Sequence, residues 1–539
     1  MYCNKPNVNL LTALLPQMGV HDAVVCPGSR NAVIVHNLHA LAVQTQAEGT
    51  QAFRLHSVTD ERSAAFVALG ICLANGGAPV AVCVTSGSAL LATIPAAAEA
   101  FYRHLPIVVI SADRPAGWIG QLDGQTLPQR DALLPYARTY TLEEPTNELQ
   151  EHWCRNTVCQ ALTACQRDGG RPVHINVPIS EPLFCFCVER LPQVSPVEDL
   201  TLLGAAAAAE RVAAMISAAR LPILFIGEHR QREEVVGKID DGDGLLVLPE
   251  IVSNQAGSGR TCALEQREGL PERLRPDLII HVGGNLVNKR FKLAVRQLPD
   301  VRVVRIGTED DAPDTFCHLS AVVRTEWPTF LHALLPLLTA KAAVREAKKI
   351  LDEEYRATRT APTSQQNLLF RTLGKLIPPS GIVSIHVANS TIVRSAAHEF
   401  ADLTLPLFCN RGVNGIEGSL SAAAGYAAAN AGKHLLLIGD LSFFYDVNAL
   451  ALAATAGKLR IILINNGGGN IFSSLPGLDQ TPALKPYIAA SHHLNAEGAC
   501  RSFGVRYARV NVADDFAAAA SLLGDDADGA ALVEVVIDE

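Results

Sequence analysis

Two apolar runs, HLLLIGD at residues 434–440 and RIILINN at residues 460–466, decide how this chain is read. Both are short and rich in Leu and Ile, the pattern of a strand buried on both faces of a parallel sheet, and both end in turn-forming residues. A short helical stretch, residues 447–456, lies between them. Ligands of open α/β sheets bind where adjacent strands end, so Asp440 and Asn466 are expected to meet at one site. One hard carboxylate and one amide oxygen suit Mg²⁺, which takes octahedral oxygen ligation completed by water and substrate phosphates. The run Gly467-Gly468-Gly469 lets backbone reach the ion or the phosphates. The plainer alternative is an Asp and an Asn that merely close strand-to-helix turns.

Outward from this pair the same alternation of strands and helices fills the chain. DAVVCPG, VAVCVTSG, PIVVISADRP and PVHINVP supply strands to a first unit, residues 1–192. Alternation at this pace means parallel sheets with crossover helices. The polar, proline-marked LPQVSPVEDL reads as a linker. PILFIG, GLLVLPE, DLIIHVGG and VRVVRIG form a second, Rossmann-like unit, residues 201–339, which lacks the G-x-G-x-x-G of a dinucleotide site. The charged helical segment KAAVREAKKILDEEYRATR leads into a third unit, residues 360–539, with GIVSIHVANS, HLLLIGD, RIILINN and ALVEVVI as strands. The expected fold is α/β in three domains, each of ordinary domain size.

The GD and NN pair resembles the thiamine diphosphate signature, in which GDG is followed downstream by NN. Here Leu441 replaces the third glycine, and GDLS in place of GDG resembles the 2-succinyl-5-enolpyruvyl-6-hydroxy-3-cyclohexene-1-carboxylate synthase family of the menaquinone pathway. The resemblance runs from about residue 25 to residue 476 and implies a pyrimidine-binding domain, a central domain and a diphosphate- and Mg-binding domain. It implies thiamine diphosphate and Mg²⁺ (or Mn²⁺) as cofactors, with Asp440, Asn466 and Gly468 on the metal. Ser390, Ile416, Gly439, Asp440, Leu441, Ser442, Asn466, Gly468 and Ile471 match the family's cofactor contacts.

Thiamine diphosphate needs a carboxylate on its pyrimidine nitrogen so that the amino group can act as a base. Glu61, in VTDERSAAFVALG, matches that catalytic, cofactor-binding acid; a pair of acids decorating the first turn of a helix is the alternative. Ile416, in CNRGVNGIEGSLSAAAG, matches the apolar wedge that bends the cofactor. The implied substrates, 2-oxoglutarate and isochorismate, each carry two carboxylates and call for the planar fork of arginine. Arg30 in CPGSRNA, Arg114 in SADRPAGW, Arg394 in ANSTIVRS and Arg411 in NRGVNG each follow a strand-like run. Ser29, Gln125 and Lys289 join them as polar substrate contacts, and Phe472 and Leu475, with Ile471, as apolar walls. The reaction implied is decarboxylation of 2-oxoglutarate and conjugate addition of the succinyl-semialdehyde fragment to isochorismate. In this group the activating acid and the diphosphate clamp face each other across a subunit boundary, so a homodimer or homotetramer is expected. The pair His492-His493, in AASHHLN, is read as structural.

A formal charge of −9 argues against nucleic acid as a partner. The N-terminus lacks the features of a signal peptide and no apolar run spans a membrane, so a cytoplasmic enzyme is expected. Thirteen cysteines without a C-x-x-C pair read as reduced thiols; Cys185 and Cys187, in FCFC, share one face of a strand with no further metal ligand nearby. The rival readings are an acetolactate-synthase-like carboligase acting on pyruvate, a non-catalytic homologue and, more distantly, a dehydrogenase.

Overall fold

The computed structural model describes every residue except 311, 360–363, 455–457, 470, 473, 474, 476, 512–516, 538 and 539. The chain divides into two compact units, Met1–Leu202 with Glu309–Val322, and Leu203–Thr308 with Val323–Glu539. Its strands form parallel sheets throughout, with helices between them, as the alternation predicts.

The first unit is built on β1 (Asp22–Val25), β2 (Arg54–Ser57), β3 (Val80–Val84), β4 (Ile107–Asp113), β5 (Arg138–Thr141) and β6 (Val173–Pro178), in the order β2-β1-β3-β4-β6-β5. Every residue of β3 and β4 is buried, which is why these strands are apolar throughout rather than alternating. Val25 pairs with Cys83 and Val84 with Ser111, so the turns carrying Ser29, Ser86 and Arg114 leave the same edge of the sheet. Helix Glu61–Ala74 packs on this sheet through Ala64, Ala65, Ala68, Leu69 and Cys72; the three alanines let it lie close. The expected linker is not loop throughout. Its residues 198–199 form β7 (Glu198–Asp199), paired in parallel with residues 321–322, because a distant partner strand outweighs the local proline signal.

The second unit contains β8 (Pro222–Ile226), β9 (Leu246–Pro249), β10 (Leu278–Val282) and β11 (Arg302–Gly307), adjacent in the order β9-β8-β10-β11. β12 (Leu319–Arg324), the strand that holds β7, follows in sequence. The charged segment is a helix, Ala342–Thr358, that buries Val344, Ala347, Leu351 and Tyr355 and turns its charges outward.

The last sheet has β13 (Ile382–Val387), β14 (Leu407–Phe408), β15 (Lys433–Gly439), β16 (Lys458–Asn465), β17 (Arg506–Asn511) and β18 (Ala531–Val536), in the order β14-β13-β15-β16-β18-β17. Leu435–Ile438 and Leu459–Ile464 form its core, none more than 2% exposed. Each apolar side chain among them contributes about 1.5–3 kcal/mol by leaving water; Arg460, buried with them, donates to the Asp525, Ala527 and Gly529 carbonyls. The chain leaves β13 toward β14 and then returns to the other side of β13 as β15, so strand order reverses between β13 and β15. That reversal opens a crevice at the strand ends. Gly439 pairs with Ile464, which brings Asp440 level with Asn465 and next to Asn466. The helical stretch between the two runs is Val447–Ala449 followed by Leu450–Ala453; residues 455 and 456 of the expected helix lie outside the described residues. Among the described residues no helix is long and apolar enough to cross a membrane.

Candidate active site

Asp440 begins the short helix Asp440–Tyr445 directly after β15 and is 3% exposed. Its Oδ1 accepts the Leu441 N–H at 2.6 Å, and its Oδ2 accepts the N–H groups of Asn466 at 3.2 Å and Gly468 at 3.0 Å. Burial raises the Asp440 pKa even though these N–H groups oppose the rise. A desolvated carboxylate that gathers backbone N–H dipoles is a seat for a cation. Gly468 has φ +147°, and a Cβ there would stand 2.8 Å from the Ala489 carbonyl oxygen, so only glycine brings this backbone to Asp440.

One cavity at the strand ends is lined by Ser390, Ile416, Gly439, Asp440, Leu441, Ser442, Asn466, Gly468, Ile471 and Phe472. These are all the cofactor residues expected in the third segment, together with one apolar wall. Leu475 is not among the lining residues and is 41% exposed. Asn470, Ser473, Ser474 and Pro476 of its motif lie outside the described residues. Ile416 is tethered, since its carbonyl accepts a short hydrogen bond from the Ser442 hydroxyl. Ser390 has φ +69° without being a glycine, a conformation that costs about 1–3 kcal/mol and concentrates at functional sites. The two asparagines of the NN pair divide the work. Asn465 points into the fold, donating to Glu534 at 2.8 Å and to the Leu494 carbonyl at 2.9 Å, while Asn466 lines the cavity.

The structure adds residues that the motifs did not supply. Gln366, Asn389, Thr391, Ile392 and Ile464, with Gly469 of the expected glycine run, complete the lining. Asn389 accepts from Arg411 Nη1 at 2.8 Å, and Arg411 Nη2 donates to the Leu286 carbonyl at 2.7 Å. Arg411 thus joins the cavity lip to the loop that carries Lys289. Lys289 and Arg394 are exposed and do not line the cavity itself; Arg394 lines a small neighbouring pocket with Glu250 and Glu265.

His492, expected to be structural, has its Nε2 3.3 Å from Asp440 Oδ2, and its backbone N–H donates to the Gly467 carbonyl at 2.9 Å. Its Nδ1 accepts the Leu494 N–H at 3.1 Å, so in the neutral ring the proton sits on Nε2, near the carboxylate but without hydrogen-bond geometry to it. Among the described residues no group of three His, Cys, Asp or Glu side chains could hold a metal ion. The donor set at Asp440, oxygen-rich with one acid, suits a hard cation that shares its shell with phosphate.

Glu250, at the end of β9, accepts the Val287 and Asn288 N–H groups at 3.1 and 2.7 Å and so positions the loop before Lys289. Burial pushes its pKa up to about 7. Between pH 4.5 and 7 the unfolded chain has lost a proton that the folded chain keeps, so stability falls as pH rises through this window, by about 3 kcal/mol at most. In Glu250→Gln that part of the fall is expected to vanish, measured as urea midpoints at pH 5 and pH 8; an unchanged slope would contradict it.

In the first unit, Arg30 is 4% exposed, donates to the Ile179 carbonyl at 3.0 Å and pairs with Glu181 at 3.0 Å. Ser29 beside it is exposed. Arg114 donates to the Ser86 hydroxyl at 2.5 Å and to the Gln125 carbonyl at 3.2 Å. Gln125 is exposed and has φ +59°. Arg30 and Arg114 repel each other, and both face Asp113. Glu61 is the first residue of its helix and half-buried; Asp60 caps that helix by accepting the Ser63 N–H at 2.7 Å. The cap role of the acidic pair therefore falls to Asp60, leaving the Glu61 carboxylate without it.

Comparison with known proteins agrees with this geometry. Residues 8–133 match the family described as thiamine pyrophosphate enzyme, N-terminal TPP binding domain, and residues 395–535 match its C-terminal TPP binding domain. A 2-succinyl-5-enolpyruvyl-6-hydroxy-3-cyclohexene-1-carboxylate synthase of Bacteroides thetaiotaomicron is 38% identical, over 96% of this chain and 93% of its own. Proteins of the same name from Phocaeicola vulgatus and Desulfotalea psychrophila are 36% and 32% identical, over 95% and 96% of this chain and 91% and 96% of theirs. The chain is a thiamine pyrophosphate enzyme and belongs to the 2-succinyl-5-enolpyruvyl-6-hydroxy-3-cyclohexene-1-carboxylate synthase family.

Proposed function

We propose that this protein decarboxylates 2-oxoglutarate and adds the succinyl-semialdehyde fragment to isochorismate, giving 2-succinyl-5-enolpyruvyl-6-hydroxy-3-cyclohexene-1-carboxylate and carbon dioxide for menaquinone biosynthesis. The observation that carries the reading is the near-full-length identity to synthases of that name in a chain whose Asp440, Asn466 and Gly468 surround one cavity. Residues 1–192 form the pyrimidine-binding domain, 201–339 the central domain and 360–539 the diphosphate domain.

When bound, thiamine diphosphate supplies a carbon nucleophile and then an electron sink. Asp440, Asn466 and Gly468 would hold Mg²⁺ or Mn²⁺, which would offset the charge of the diphosphate. Ser390, Gly439, Leu441 and Ser442 line the seat, and Ile416, fixed by Ser442, bends the cofactor. Glu61 keeps a proton at the pyrimidine nitrogen. Ile471 and Phe472, with Leu475 at the rim, exclude water, which favours loss of carbon dioxide from an anion. Ser29, Arg30, Arg114, Gln125, Lys289, Arg394 and Arg411 are the residues assigned to the substrate carboxylates.

The acid and the clamp come from different protomers of a homodimer or homotetramer working in the cytoplasm. Supporting this, the helix that begins at Glu61 carries an uncovered apolar stripe, with Phe66, Val67 and Leu73 at least 40% exposed, a feature of association surfaces. Sedimentation at micromolar concentration tests it; a monomer with full activity would contradict it. Pyruvate in place of 2-oxoglutarate separates this reading from an acetolactate-synthase-like one. It is expected to give little turnover, since it lacks the distal carboxylate that the arginines await.

His492 is expected to position the metal carboxylate. Replacing it with Phe, which keeps a ring but loses the donor, weakens Mn²⁺ binding by about 10–100-fold, as partners of metal-bound carboxylates do. Glutamine, which restores an N–H at similar reach, recovers most of it. Mn²⁺ titration followed by electron paramagnetic resonance reads both, and equal affinity in all three proteins would refute the role.

A further inference from the structure

We propose that Cys185 and Cys187 form a surface dithiol that closes reversibly to a disulfide, a modification site separate from the cofactor cavity. Their sulfurs lie 3.6 Å apart, with the Cys185 thiol directed at Cys187 Sγ. Ten of the thirteen cysteines are buried, Cys187 is exposed, and Cys185 and Cys409 are half-buried. Cys409 is otherwise engaged, since its thiol donates to Asn389 Oδ1 at 3.3 Å and burial pushes its pKa up to about 12.

The arrangement is built into the chain. The Phe186 ring stacks on His36 with centroids 3.9 Å apart, and because an extended chain alternates its side chains, the two flanking cysteines share the opposite face. The backbone is pinned on both sides of the pair. Asn4 N–H donates to the Cys185 carbonyl at 2.9 Å, and Tyr2 and Val188 exchange N–H···O bonds of 2.6 and 3.1 Å. The expected strand is thus only an isolated bridge at Val188, but the shared face is real. Contact with Cys187 raises the Cys185 pKa, and Cys185 is the donor of the pair.

A disulfide such as oxidised glutathione suffices as oxidant. The exposed Cys187 thiolate attacks one of its sulfurs and releases one glutathione thiolate. Cys185, on losing its proton, then attacks the Cys187 sulfur and releases the second glutathione. Two electrons pass to the small disulfide, and the two thiol protons end on the two glutathiones. Two residues of fully extended chain span about 6.6–7.2 Å, which straddles the ~6.8 Å upper limit for Cα atoms bridged by a disulfide and lies well above the usual ~5.5–6 Å. The closed form is therefore strained, and strained disulfides reopen readily with ordinary thiols.

The test treats native protein with oxidised glutathione and follows intact mass and native thiol titration. The expected result is loss of two thiols together, a mass lower by two hydrogens, no retained glutathione, and full recovery with reduced glutathione. Cys185→Ser is expected to stop at one glutathione on Cys187. Unmodified protein should also bind one phenylarsine oxide per chain, released by a dithiol and not by a monothiol, an arm that needs no variant. Native protein that stops at a glutathione adduct, links into disulfide oligomers or fails to bind the arsenical would overturn the proposal.

Discussion

Glu61→Gln is expected to lower turnover by about 100- to 10,000-fold, the range for loss of a positioned acid or base, while leaving metal and thiamine diphosphate binding nearly intact. The reason is division of labour. In the proposed mechanism the diphosphate end is held by Asp440, Asn466 and Gly468, which line one cavity, so affinity should survive a change at the pyrimidine end. Glutamine keeps the size of Glu61 and removes the carboxylate that keeps a proton at the ring nitrogen. Steady-state kinetics with a parallel binding titration separates the two effects. A variant with native turnover would remove Glu61 from the mechanism, and one that loses binding and turnover together would make it a mere contact.

Asp440→Ala should fail in the opposite way. Asp440 is the carboxylate of the proposed cation seat, and its Oδ2 also gathers the Asn466 and Gly468 N–H groups. Removing it deletes a charge and frees the glycine turn at once. Metal affinity should fall by more than the ~100-fold upper range for loss of a supporting partner, and thiamine diphosphate affinity should fall with it. Heat stability without cofactor should change little or rise, because a desolvated carboxylate is lost. Calorimetric titration of Mg²⁺ with thiamine diphosphate reads the first effect, and thermal unfolding of the cofactor-free protein reads the second.

Why the clamp was legible in sequence while its surroundings were not follows from how far each feature reaches along the chain. HLLLIGD and RIILINN each contain both the buried strand and the residue delivered at its end, so a local pattern carried both fold and site. Gln366 enters the same cavity from another element and nothing in its own neighbourhood marks it, while Asn389 and Thr391 flank Ser390 in ANSTIVRS but carry no sign of their own. Glu250 supports the Lys289 loop through bonds to Val287 and Asn288 that exist only once two strands lie together. His492 read as structural because its nearness to Asp440 is created by the glycine turn, through its bond to the Gly467 carbonyl. Arg30 was legible as an arginine after a strand, but its pairing with Glu181 was not. The proline-marked stretch before residue 200 misled for the same reason: Glu198–Asp199 is a strand only because residues 321–322 come to meet it.

The central claim is tested most directly by supplying purified protein with isochorismate, 2-oxoglutarate, thiamine diphosphate and Mg²⁺, and measuring isochorismate and carbon dioxide together. The account predicts equal loss of isochorismate and release of carbon dioxide, with both ceasing when any one component is omitted. Carbon dioxide released while isochorismate persists would contradict it, as would isochorismate consumed without 2-oxoglutarate.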